Sequence, residues 1–118
     1  MTTVAAVTAW PFETALDVAV TTWAGLAAND DGEPIRLVTF SDRSIQVSGT
    51  FGGASITIGG SNDGETYHAL HDTAGDPITL TSAALKGIVE LPVFLKPRVF
   101  GGDGTTNLKI VLVARRSI

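Results

Sequence analysis

Apolar and polar residues alternate with a period of two along much of this chain. In Ile45-Gln46-Val47-Ser48-Gly49-Thr50-Phe51 the apolar side chains fall on one side, and Ala54-Ser55-Ile56-Thr57-Ile58 repeats the pattern. Gly52-Gly53 separates the two runs, Ser61-Asn62-Asp63-Gly64 follows, and a further strand starts at Thr66. Alternation punctuated by Gly-Gly and Asn-Asp-Gly predicts an antiparallel meander.

The same pattern places strands elsewhere. Leu16, Val18, Val20 and Thr22 alternate with Asp17, Ala19, Thr21 and Trp23. Ile35 to Phe40 forms a second strand after a loop from Leu26 to Pro34. Short strands are expected at Tyr67–Leu70 and Ile78–Leu80, on either side of the turn Asp72–Pro77. Val93–Phe100 is a strand with Pro97 inside it, which places it at an edge or a bulge. Gly101-Gly102-Asp103-Gly104 is a hairpin turn, and Asn107–Arg115 is the last strand.

That last strand has two apolar faces. Leu108, Ile110, Leu112 and Ala114 form one, and Val111 and Val113 sit on the other. A strand like this lies at the centre of a layered structure or against a neighbouring subunit. Thr81–Leu91 breaks the pattern: Leu85, Ile88 and Val89 recur at helical spacing behind Ser82, a possible N-cap, which predicts a helical turn weakened by Gly87.

About eight short strands at this spacing define an all-β fold, a single-domain antiparallel β-sandwich of jelly-roll or immunoglobulin-like kind. The sandwich spans residues 15–118. Residues 1–14 read as an extended N-terminal arm carrying Trp10-Pro11-Phe12, an aromatic pair costly to leave in water.

Composition changes this picture in one respect. Charged residues are only 17% of the chain against an average of about 25%. A domain of 118 residues has much surface to cover, so it must expose neutral or apolar area. Contact with other subunits hides such area. The net charge of −4 and the scattered Lys86, Lys96, Arg98 and Lys109 argue against a nucleic-acid partner. No apolar run approaches the roughly 20 residues of a membrane helix. Met1 to Ala9 has no positive n-region, so synthesis in the cytosol is expected. The absence of cysteine removes disulfides, thiol catalysis and thiolate-bound zinc.

Candidate chemistry is sparse. His68 and His71, three residues apart, point to opposite faces of a strand and make no ligand pair. Asn29, Asp30, Asp31 and Glu33 crowd one loop but lack EF-hand spacing, and read as a solvated turn. The glycines at 101–104 precede a strand, whereas a phosphate cradle needs a helix N-terminus. No Gly-x-Ser-x-Gly elbow is present. Trp10, Trp23, Phe51 and Tyr67 are the aromatics available to stack on sugars, and most suit a core or interface better. No catalytic, metal or cofactor site is therefore assigned. Trp10, Phe12, Val111 and Val113 are the candidate interface residues.

The run SGTFGGASITIGGSNDGETYHAL, followed by LKPRVFGGDGTTNLKIVLVARR, resembles small bacteriophage virion proteins of the head-decoration, or capsid-cement, type. Gly49-Thr50-Phe51-Gly52-Gly53-Ala54, Gly60-Ser61-Asn62-Asp63-Gly64, Lys96-Pro97-Arg98 and Gly101-Gly102-Asp103-Gly104 carry the likeness, within residues 44–116. It implies a non-enzymatic structural protein on the outer capsid surface of a virion. It implies the major capsid protein as partner, self-association as a homotrimer, and no cofactor. The Gly-Ser-Asn-Asp-Gly turn is also similar to that of discoidin-type jelly rolls. A carbohydrate-binding module, or a tail or baseplate component, is the alternative.

Overall fold

A computed structural model describes residues 2–10, 18–36 and 40–116. The strands are β1 (Thr3–Val4), β2 (Val7–Ala9), β3 (Val18–Leu26), β4 (Asp31–Gly32), β5 (Ile35–Arg36) and β6 (Asp42–Thr50). After them come β7 (Ser55–Ser61), β8 (His68–Ala69), β9 (Thr79–Leu80), β10 (Ala84–Ile88), β11 (Phe94–Phe100) and β12 (Asn107–Arg115). They form two sheets. One runs β1-β4-β11-β7-β8, with β5 beside β11 and β9 beside β7; the other runs β10-β6-β12-β3-β2. The fold is an all-β sandwich, as the alternation predicts.

Inward-facing residues of both sheets fill one core. β3 contributes Trp23 and Leu26, β6 Ile45 and Val47, and β12 Leu108, Ile110 and Leu112. Opposite them lie Ile56 and Ile58 of β7 and Leu95 and Val99 of β11. Cross-strand register stacks these residues in layers: Val47, Ile110 and Trp23 are neighbours, as are Ile45, Leu112 and Thr21. Burying one such aliphatic side chain is worth about 1.5–3 kcal/mol.

The expected meander is corrected. β6 and β7 lie in different sheets, so Gly52-Gly53 turns the chain across the sandwich. Both runs still aim their apolar residues at the core, from opposite sides. Alternation fixes which residues face inward and says nothing about which strand is the partner. The glycines at 101–104 are likewise no hairpin, since they carry the chain from β11 in one sheet to β12 in the other. The two crossings support each other: the Thr106 hydroxyl donates to the Phe51 carbonyl at 2.9 Å.

One further expectation fails for a local reason, and another is met by one of its two alternatives. Thr81–Leu91 contains no helical turn. Its centre is β10, paired antiparallel with Arg43–Val47 of β6. A segment this short has little helix stability of its own, and a ladder with β6 overrides it. Pro97 sits not at an edge but at the bulge that was its alternative: the register slips by one residue between Leu95↔Ile35 and Arg98↔Asp31. β11 lies between β7 and the pair β4 and β5, and Pro97 falls opposite the interruption between those two strands. No residue there is in register with it, so on that side its missing N–H breaks no ladder.

Residues Thr2 to Ala9 of the N-terminal segment are bonded along the body. β1 runs parallel to β4 in one sheet, and β2 runs antiparallel to β3 in the other. The segment thus crosses from sheet to sheet along one side of the sandwich. β12, by contrast, is the middle strand of its sheet, flanked by β6 and β3.

Candidate interaction surfaces

The candidate chemistry of the sequence falls in three places. The first is a shallow cleft of about 660 Å³ beside β7 and β8, lined in part by Ser61, Asp63, His68, His71 and Glu90. Both histidines line it, contrary to the expectation of opposite faces. The strand ends at Ala69, and His71 lies beyond it in an isolated bridge to Pro77. The His71 Nδ1 contacts Glu90 Oε2, while the His71 backbone N–H donates to Glu90 Oε1 at 2.7 Å. Desolvation opposes ionisation of Glu90, but these bonds outweigh it and hold the carboxyl below the usual range. The pair clasps two loops together. The Ser61 hydroxyl donates to Asp63 at 2.8 Å. Asp63 also accepts from the Thr66 and Glu65 backbone, and these bonds, Thr66 first, lower its pKa to about 2. Among the described residues no group of three or more His, Cys, Asp or Glu is placed to hold a metal ion.

The acidic loop after β3 is not a solvated turn. Asp30 is buried, and its carboxylate accepts from the Thr2 backbone at 3.1 Å and the Ala27 backbone at 2.8 Å. Glu33 accepts from the Ala6 backbone at 3.0 Å. Asn29 accepts from Gly101 at 2.9 Å. These side chains hold the N-terminal segment and the crossing loop.

The second place is the outer face of the larger sheet. Arg36, Lys96 and Arg98 lie over the rings of Phe94, Tyr67 and Phe100, at 5.8, 4.5 and 5.0 Å respectively. Lys96 also bonds Asp31 at 2.8 Å. The Asp31 Oδ1 and the Tyr67 hydroxyl are buried without a hydrogen-bond partner. This face pairs cations with aromatic rings on a protein whose net charge is negative.

The third is the outer face of the smaller sheet, where Val111 and Val113 stand half-buried on β12. Leu85 and Val7, on the two outermost strands, are exposed. Trp10 is also exposed and tilts against Phe40 with ring centroids 5.8 Å apart. Phe12 lies outside the described residues. Of the aromatics considered for sugar stacking, Trp23 is wholly buried and Phe51 packs against the core. Tyr67 borders a smaller cleft of about 260 Å³ with Lys96 and Arg98. Sequence reasoning missed Glu90 as the partner of His71, because the two meet only through loop closure.

The chain is thus a small β-sandwich whose two outer faces differ in chemistry. It shares its fold with a prophage-derived protein, YomS of SPBc2: TM-score 0.63 at 12% identity, covering 82% of this chain and 93% of that one. Lower similarity links it to the cysteine peptidase peruvianin-I of Thevetia peruviana latex, with TM-score 0.48, 14% identity, 86% of this chain and 52% of that one. An oxalate oxidase is at TM-score 0.47 and 15% identity, over 86% of this chain and 43% of that one. Likeness at those scores bears neither on the fold in detail nor on function. No protein-family model matches the chain, and no curated protein sequence does.

Proposed function

We propose that this protein is a non-enzymatic structural component of a phage particle, docked on the outside of the capsid, where it stabilises the shell. The observation that carries this reading is the fold held in common, over 82% of this chain and 93% of the other, with a prophage-derived protein. Surface chemistry supports it. A chain with few charges carries exposed Leu85, Val7 and Trp10, the kind of neutral area that many equal copies bury against neighbours. The major capsid protein is the proposed partner. Trp10 and the outer side of β12, with Val111 and Val113, are proposed contacts.

Co-sedimentation with mature shells stripped of the protein tests the reading. Saturable binding at a fixed ratio to the capsid subunit, with shells more resistant to heat, is expected. Recovery in the tail fraction, or retention on host glycans with no binding to shells, overturns it in favour of a tail or carbohydrate-binding module.

A further inference from the structure

On the outer face of the larger sheet, β11 presents large side chains and β7 small ones. Lys96 stands opposite Gly59, and Arg98 opposite Thr57. On the other side of β7, Gly59 faces Ala69 of β8. The cleft of about 260 Å³ opens over this low floor, and Tyr67 and the exposed Phe100 border it. Pockets for drug-sized molecules start at about 300 Å³, so this one admits a single ring-sized group.

Two opposite charges line the cleft without pairing with each other. Lys96 is committed to Asp31 at 2.8 Å. Arg98 lies over the Phe100 ring at 5.0 Å and, among the described residues, makes no ion pair or side-chain hydrogen bond. The Glu65 carboxylate on the same cleft makes none either. A guanidinium over a ring still has N–H donors for a carboxylate, which it takes with two parallel bonds.

We propose that this cleft binds one ring of an acidic saccharide, a hexuronate, whose carboxylate meets Arg98 and whose hydroxyls meet Glu65 and Thr57. Glu65 selects the class. A plain carboxylate, such as an acidic side chain of a partner protein, faces Glu65 with like charge and offers it no proton. A neutral sugar leaves Arg98 without a charge to meet. A sugar acid answers both: its hydroxyls donate to a carboxylate, and its acid group accepts from the guanidinium. The Thr57 hydroxyl, 3.3 Å from that of Thr79 at an exposed pair, can donate or accept.

The inference goes beyond the capsid reading and does not need it. The cleft lies on the larger sheet, whereas the proposed shell contact of β12 lies on the smaller one. A single sugar ring in a shallow cleft binds weakly, in the millimolar range. Copies repeated over a particle turn such a site into avid attachment to a uronate-bearing surface.

The test is an amide NMR titration of the full chain with D-galacturonate and D-glucuronate, against D-galactose and N-acetylglutamate. At least one uronate should shift the Thr57, Ala69 and Arg98 amides saturably, and bind about tenfold more tightly than galactose or N-acetylglutamate. Arg98→Gln, at an exposed position, should weaken the uronate about tenfold and remove its advantage over galactose. Lys109→Gln, an equal loss of charge at an exposed position on the smaller sheet, should change nothing. Gly59→Ala tests the floor. Its Cβ would lie 3.5 Å from Tyr67 and closer to nothing else, so the chain should fold while uronate binding weakens. No saturable shift at about 50 mM of either uronate overturns the proposal. So do shifts confined to other residues, or an affinity indifferent to Arg98→Gln. N-acetylglutamate bound as tightly overturns it in favour of an acidic protein partner, and galactose bound as tightly in favour of a neutral sugar.

Discussion

The indole Nε1 of Trp23 donates to the backbone carbonyl of Glu33 at 3.0 Å. Trp23 belongs to the smaller sheet, and Glu33 links β4 to β5 of the larger one. The bond therefore joins the two layers at the margin of the core, between Trp23, which is 0% exposed, and Glu33 at the surface. It also orients the largest buried side chain, which touches the space above Gly32.

This relationship sets the first prediction. Trp23→Phe leaves a gap and strands the Glu33 carbonyl, at a cost of about 2 kcal/mol; Trp23→Ala costs about 3–5 kcal/mol. Urea unfolding at constant slope measures both. Equal stability of Trp23→Phe and the parent would show that the bond contributes nothing. Since Trp23 never reaches the surface, no change in glycan binding is expected beyond what unfolding causes.

The crossing between sheets depends on backbone that only glycine adopts readily. Gly49 sits at φ +111°, and a Cβ there would lie 2.3 Å from the Asn107 carbonyl oxygen of β12. Gly49→Ala combines strain with a clash against backbone and should cost about 3 kcal/mol. Gly53 is the control: its φ is +83°, yet a Cβ meets nothing within 4 Å. Gly53→Ala should cost roughly 1–2 kcal/mol, the strain alone. Thermal melts of both variants separate the two effects, and equal losses would remove the role of the contact.

Alternation made the core legible in the sequence. The inward set of β12, Leu108 to Ala114, and that of β6, Ile45 and Val47, are buried on the faces that the period predicts. Partnership was not legible, because period-two patterning is local and sheet assignment is not. Gly52-Gly53 and Gly101-Gly102 look alike whether a chain returns along the same sheet or crosses to the other. Pro97 signalled an edge or a bulge without choosing between them, because a proline reports only its missing donor; the irregularity between β4 and β5 that accommodates it lies more than 60 residues earlier. The surfaces followed the same rule. Val111 and Val113 stood out within one strand, whereas Leu85 and Val7, on the outer strands of the same sheet, come from distant segments.

Acid should loosen the loops first. Asp63, Asp72 and Asp103 all have lowered pKa values: Asp63 chiefly through the Thr66 backbone bond, Asp72 through that of Asp76, and Asp103 through the Thr105 hydroxyl. A depressed carboxyl binds protons more weakly when folded than when unfolded. Its stabilisation is complete above the unfolded value of 3.8 and is lost as pH falls through the folded value, about 2 for Asp63. Stability should therefore fall between about pH 4 and pH 2. Asp63→Asn should flatten that slope and lower stability at pH 7. A parent and variant with parallel pH profiles would contradict the assignment.

Lys96 and Asp31 provide the last prediction. Their side chains are only 20% and 17% exposed, and they meet at 2.8 Å on the outer face of the larger sheet. Lys96 also covers the Tyr67 ring at 4.5 Å. Lys96→Met keeps most of the stem packing but leaves the Asp31 carboxylate half-enclosed and without its cation. A cost of about 2 kcal/mol follows, since removing one member of a sheltered pair exposes the desolvation penalty of the other. Asp31→Asn in the same chain removes that penalty. The double variant should then be more stable than the sum of the single losses, by about 1 kcal/mol or more in a double-mutant cycle. Strict additivity would mean that solvent screens the pair, and that the cation is held by the tyrosine ring instead.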